Sequence, residues 1–96
     1  MAEKIFIKNT FIRDCTLTIY EKTTYMNLAM DLGRENERFV TQEGLAKNIG
    51  VSVPTVRSAL RSLKTKGYID YVLSTIPGKG RGYTYRILKY EYMLGD

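Results

Sequence analysis

Histidine is absent from this chain of 96 residues, and cysteine occurs once. Without histidine or a second thiol, a Cys/His nucleophile pair cannot be assembled. A single thiol, Cys15, also cannot form an internal disulfide, which fits a reducing cytoplasm. Cys15 is expected to be a small buried apolar residue and not a reactive thiol. Glu35 and Glu37 in Arg34-Glu35-Asn36-Glu37-Arg38 pair two carboxylates. They have no histidine or third carboxylate beside them, so a solvated loop is expected and not a metal or acid–base site. No apolar run approaches the roughly 20 residues that span a bilayer. Met1-Ala2-Glu3-Lys4 leads into a strand-like segment, unlike a secretory signal. Repeats, low-complexity tracts and interdomain linkers are missing too, so residues 1–96 read as one soluble domain with one modest core. These absences predict a non-enzymatic cytoplasmic protein with no cofactor and no small-molecule ligand.

A further scarcity is local. Between Ser52 and Lys66 there is no acidic residue. The net charge is +5, and it is unevenly placed. From Met1 to Val40, six Lys/Arg cancel six Asp/Glu. From Thr41 to Tyr90, nine Lys/Arg face Glu43 and Asp70, so nine minus two leaves +7. Positive charge gathered in one segment is the electrostatic footprint of a nucleic-acid binder.

Thr41 to Ile69 reads TQEGLAKNIGVSVPTVRSALRSLKTKGYI. Leu45, Ala46 and Ile49, then Val56, Ala59, Leu60 and Leu63, fall three and four apart, as on two amphipathic helices. Gly50 can close the first helix in a left-handed conformation. Val51 is the apolar residue that a tight corner buries. Ser52 can cap the second helix, and Pro54 falls in its first turn, where a missing N–H costs nothing. Lys64 and Lys66 lie near the negative end, and Gly67 ends the helix. The polar face carries Thr55, Arg57, Ser58, Arg61, Ser62 and Lys64. A face holding only cations and hydroxyls suits a polyanion. This is the layout of a helix-turn-helix over about 41–67, whose second helix enters the DNA major groove.

Tyr68 to Thr75 and Tyr83 to Tyr90 are rich in aromatic and β-branched residues and read as two strands. The basic loop Ile76-Pro77-Gly78-Lys79-Gly80-Arg81-Gly82 joins them, making a wing over about 68–90. A nucleotide-binding glycine loop would follow a strand, open a helix and place Ser or Thr after its lysine. This loop lies between strands, so Lys79 and Arg81 are assigned to DNA phosphates or the minor groove. Tyr68, Tyr71, Tyr83, Tyr85 and Tyr90 are expected to pair across the wing strands. Tyr83, beside the tip, is the one expected to reach nucleic acid.

Ahead of these, Lys4-Ile5-Phe6-Ile7-Lys8 alternates as a strand that could add to the wing sheet. Asn9 to Cys15 reads as a turn or short helix. A long helix then runs to Leu32, capped by Thr16 or, with the better capping-box spacing to Glu21, by Thr18. Its buried stripe is read as Leu17, Tyr20, Thr24, Leu28 and Leu32, with Tyr25, Met26 and Ala29 adjoining. Gly33 ends it, and Phe39 and Val40 return apolar side chains to the core.

The helix-turn-helix followed by a hairpin resembles the winged helix-turn-helix family. The resemblance is close from Thr41 to about Tyr90 and looser before. It implies an α+β fold of three helices with a small two- or three-stranded antiparallel sheet. Lys4 to Lys8, Phe11-Ile12, the Thr41–Ile69 block and Gly82-Tyr83-Thr84-Tyr85-Arg86-Ile87 together look like the N-terminal origin-binding domains of phage and plasmid replication initiators. Thr41-Gln42-Glu43-Gly44-Leu45-Ala46 and Val51-Ser52-Val53-Pro54-Thr55-Val56-Arg57 also look like GntR- and MarR-type transcription regulators. Where GntR-type helices often carry a basic residue this chain has Val53, a departure that removes the basic base contact there and leaves only an apolar one, to a thymine methyl. The expected partner is double-stranded DNA, with a homodimer on DNA as the oligomer considered and no membrane role. A winged helix used for protein interaction is the alternative that the cation face from Thr55 to Lys64 and the basic wing argue against. Thr41 and Gln42 are expected to hold a phosphate at a helix N-terminus. Ser52, Thr55, Arg57, Ser58, Arg61 and Lys64 are expected on the reading helix, and Lys79, Arg81 and Tyr83 on the wing.

Overall fold

The computed structural model describes residues 4–78 and 80–95, with Arg81 described by its backbone alone. Lys79 and the Arg81 side chain, both assigned to phosphates from the sequence, lie outside the described residues, as do Met1, Ala2 and Glu3. The elements run β1 (Lys4–Ile7), α1 (Asn9–Ile12), α2 (Ile19–Leu32), β2 (Arg38–Val40), α3 (Gln42–Ile49), α4 (Val53–Thr65), β3 (Ile69–Ile76), β4 (Gly80–Ile87) and β5 (Tyr92–Gly95). The fold is α+β and winged, with a one-turn helix α1 beyond the three helices expected.

The start of α2 settles on Thr18. Its hydroxyl accepts the Glu21 N–H at 3.1 Å, and the Glu21 carboxylate accepts the Thr18 N–H at 3.0 Å, a complete capping box. Thr16 is not the cap, because its N–H and hydroxyl both bond the Asp14 carboxylate. Those bonds shape the turn between α1 and α2, and they leave Cys15 exposed, contrary to the buried position expected of it. The buried face of α2 is Glu21, Thr24, Tyr25, Leu28, Ala29 and Leu32. Tyr20, placed in the core stripe from the sequence, is 51% exposed. A carboxylate occupies the inward position beside it, tolerated because three donors reach it. Phe11 of α1, Tyr25, Tyr68 and Tyr92 close over one end of the core. Ring centroids there lie 4.7 Å apart for Phe11–Tyr25 and 6.2 Å for Tyr25–Tyr92.

The hairpin of α3 and α4 forms as its residue types dictate. Thr41 caps α3 by accepting the Gly44 N–H at 3.0 Å, and Gly50 takes the left-handed conformation at φ 83°. Ser52 accepts the Thr55 N–H at 3.3 Å to start α4. Leu45, Val56, Leu60 and Leu63 are fully buried. Val53 is half-buried and packs against this core.

Two sheets flank the helices. The larger has the order β2-β4-β3, all antiparallel. Its third strand is β2, not the N-terminal strand expected there. β1 instead pairs with β5 in a separate two-stranded sheet, Ile5 opposite Leu94. The wing strands are also longer at the tip than expected. Ile76 pairs with Gly80 and Ser74 with Gly82, so the connection is 77–79 and not the whole of 76–82. Gly82 serves packing here, since a Cβ would come within 2.6 Å of the Phe39 ring. At the other end β4 stops at Ile87. The Leu88 and Lys89 N–H groups both bond the Tyr68 carbonyl, turning the chain, so Tyr90 lies beyond the wing. Tyr68 precedes β3 and is a core residue. The Tyr25 hydroxyl donates to the Lys89 carbonyl at 2.7 Å and accepts the Glu91 N–H at 2.9 Å, fastening this segment to α2.

Candidate nucleic-acid interface

With Val56, Ala59, Leu60 and Leu63 turned inward, the opposite face of α4 presents Pro54, Arg57, Ser58, Arg61, Lys64 and Thr65, all exposed. Spacings of three and four put Arg57, Ser58 and Arg61 on one outward stripe. Thr55 is turned to the side. It joins Ser58, Ser62, Thr18 and Tyr20 along a hydroxyl-lined groove of about 460 Å³ between α4 and the start of α2. Its hydroxyl lies 2.8 Å from that of Ser52, the residue that caps α4.

The cations of α4 differ in what they touch. Lys66 donates to the Glu21 carboxylate at 2.8 Å and to the Thr16 carbonyl at 2.7 Å. Ser62 donates to the same Glu21 oxygen at 2.8 Å. Burial opposes charge on Glu21, but the bonds from Lys66, the Thr18 backbone and Ser62 outweigh it and hold the carboxyl at about 2. Lys64 lies 3.5 Å from Asp70, reaches the Tyr71 carbonyl at 3.3 Å and sits over the Tyr71 ring. Among the described residues Arg61 meets no carboxylate, and Arg57 meets a neutral amide. The Arg57 Nε–H donates to the Gln42 Oε1 at 3.4 Å.

That outward, cation-bearing second helix behind a glycine-closed turn decides the assignment. The chain belongs to the helix-turn-helix domain family. The family model for that domain matches residues 16–69, more than half of the chain, from the turn before α2 to the first residue of β3. No curated protein matches the chain, and no solved structure does. DNA binding follows from the helix-turn-helix itself, and the wing extends beyond the matched segment.

The wing leans on the helix-turn-helix at a notch of about 290 Å³ lined by Gln42, Glu43, Arg57, Leu73, Gly82 and Tyr83. Leu73 and Tyr83 are directly opposed on β3 and β4, so their side chains share the face turned toward α4. Tyr83, singled out as the tyrosine to reach nucleic acid, packs across the strands on Tyr71 at 5.1 Å and along its own strand on Tyr85 at 6.0 Å. It also borders the notch. Tyr85 is fully buried. Burial pushes its hydroxyl above the ordinary phenol range, and Gln42 is the polar side chain that meets it. That hydroxyl has no hydrogen bond of good geometry among the described residues.

The predicted site residues therefore separate. Arg57, Ser58 and Arg61 lie together on the outer stripe, with Gln42 and Tyr83 beside them. Thr41 and Ser52 are caps whose hydroxyls already accept backbone N–H groups. Lys64 is half engaged by β3. Alternation alone marks Leu73 as one more apolar strand residue, with no signal for the interface. Only the length of the wing strands carries it past the core, where it is 54% exposed. Among the described residues no three His, Cys, Asp or Glu side chains gather as a metal would require. No helix there is long and apolar enough to cross a membrane.

Proposed function

We propose that this domain binds double-stranded DNA sequence-specifically as the origin-binding module of a phage or plasmid replication initiator. The observation that carries the reading is the outer stripe of α4, where Arg57, Ser58 and Arg61 stand exposed without a carboxylate among them. α4 lies in the major groove, its stripe reading base edges, while the wing follows the adjacent backbone. The chain acts without catalysis and without a cofactor, in the cytoplasm. The initiator role rests on the likeness of Lys4 to Lys8, Phe11-Ile12, the Thr41–Ile69 block and Gly82 to Ile87 to such domains. The second reading is a transcriptional regulator at operator DNA. It is favoured by Thr41 to Ala46 and Val51 to Arg57, which look equally like GntR- and MarR-type helices.

A genome-wide map of bound sites separates the two. Clustered sites beside a replication origin are expected, and isolated promoter sites would replace the initiator with a regulator. Fluorescence anisotropy on random duplexes at low salt tests the shared premise, and no binding there would remove DNA as the partner.

A further inference from the structure

We propose that Gln42 is the positioning residue for Arg57, fixing its guanidinium so that the two terminal nitrogens meet one guanine. This rests on the DNA-binding reading above. An exposed arginine on a reading helix has several side-chain torsions and can offer either of two forks. One is the Nε–Nη edge and the other is the pair of terminal nitrogens. Here the Nε–H is already taken by the Gln42 Oε1 at 3.4 Å. The terminal pair remains, and two parallel N–H groups match the O6 and N7 acceptors of guanine in the major groove.

Gln42 can hold this post because its own surroundings orient it. It is the first residue of α3, next to the Thr41 cap, so its backbone is set by the helix start. On its inner side lies the Tyr85 hydroxyl, buried and without a good hydrogen bond among the described residues. An amide oxygen turned to a guanidinium leaves the amide NH2 group for a phenol oxygen, and the reverse orientation would set two donors against each other. The same notch carries the exposed carboxylate of Glu43. A carboxylate there repels a phosphate, so the notch suits the orientation of a base-reading side chain better than capture of the backbone. Gln42 was expected from the sequence to hold a phosphate, and the Arg57 contact assigns it a different partner.

The test begins with a duplex selected by the unaltered protein from a randomised library. Each guanine in it is replaced in turn by 7-deazaguanine, which removes the N7 acceptor and keeps base pairing. The unaltered protein should lose about tenfold in affinity at one guanine. Gln42→Leu should shrink that ratio to about twofold and leave binding to a scrambled duplex unchanged. Gln42→Glu keeps an oxygen for the Nε–H and should restore most of the ratio. Circular dichroism melts of each variant establish that the fold is kept. An undiminished ratio in Gln42→Leu overturns the inference. Equal loss on selected and scrambled duplexes also overturns it, and makes Gln42 a phosphate contact. DNA binding by the unaltered protein with no sensitive guanine defeats the inference alone, whereas no duplex binding at all defeats the reading beneath it as well.

Discussion

Arg57 and Arg61 stand in the first two-thirds of α4, and Lys64 and Lys66 stand at its end. By sequence the four are equivalent, positive residues on one helix. In the fold the arginines face outward, with only a neutral amide among their partners in the described residues. The lysines are drawn in, Lys66 to the buried Glu21 and Lys64 to Asp70 and the Tyr71 ring. One end of the helix is thus available to a ligand, and the other ties the helix to α2 and β3. Formal charge counted along a helix overstates what a polyanion meets, because a cation paired with a nearby carboxylate contributes little field beyond it.

The largest test concerns the frame that the two ends share. Leu60 is fully buried with Val56 and Leu63 on the inner face that runs under both ends. Leu60→Ala should cost about 2–5 kcal/mol of stability, from lost transfer energy and the cavity left behind. Urea denaturation measures it. A change below about 0.5 kcal/mol would mean that the ends of α4 are not held by one core.

Next comes the anchoring end. Glu21 is buried while its partner Lys66 has a third of its side chain exposed, so removing the carboxylate lets the ammonium turn to water. Glu21→Gln should therefore cost about 2 kcal/mol at neutral pH, less than for a fully buried pair. The folded carboxyl sits at about 2 against an ordinary value of 4.5. As pH falls the unfolded chain takes up the proton first, so the contribution is complete above about pH 5 and is lost between there and about pH 2. The stability gap between parent and variant should be constant at neutral pH and close over that acid range. A gap at pH 2.5 as large as at neutral pH would mean that the ion pair is not its source.

Much of this was legible beforehand, for physical reasons that can be named. The helix-turn-helix depends on local chemistry: caps at Thr41 and Ser52, a left-handed Gly50, and apolar spacing. All of these are sequence-near and came through intact. The positions of β1, β2 and β5 depend on pairings between distant segments, Lys4 with Gly95 and Arg38 with Tyr85. Strands of three and four residues carry too little alternation to announce their partners. Glu21 was hidden for a related reason. A glutamate in a helical pattern reads as solvent-facing, and its burial follows only from Ser62 and Lys66, more than forty positions away. The Gly78–Gly82 run misled differently, because glycine signals both a mobile loop and a strand under a close neighbour. Gly82 is the second kind.

At the reading end, Arg57→Ala should weaken binding to a selected duplex by about 1–3 kcal/mol and scarcely change binding to random DNA. Anisotropy titrations on both duplexes measure this. Equal losses would make Arg57 a backbone contact and remove the base-reading role from the outward stripe.

The smallest effect is the most direct comparison of the two ends. Each cation that neutralises a phosphate releases counterions, so log affinity falls with log salt by about 0.9 per contact. Arg61 touches no carboxylate among the described residues, and Arg61→Ala should make that slope shallower by about one unit. Lys64 is held by Asp70 at 3.5 Å, with side-chain exposures of 47% and 39% for the two partners. A pair that exposed is worth well under about 1 kcal/mol, so it competes with a phosphate without excluding it. Lys64→Ala should therefore change the slope by less than about half a unit. Asp70→Asn removes the competitor, and it should steepen the slope by a similar fraction while leaving the preference between duplexes unchanged. If Lys64→Ala instead matches Arg61→Ala and Asp70→Asn has no effect, the Asp70 contact does not restrain Lys64. The reading surface would then extend to the last turn of α4.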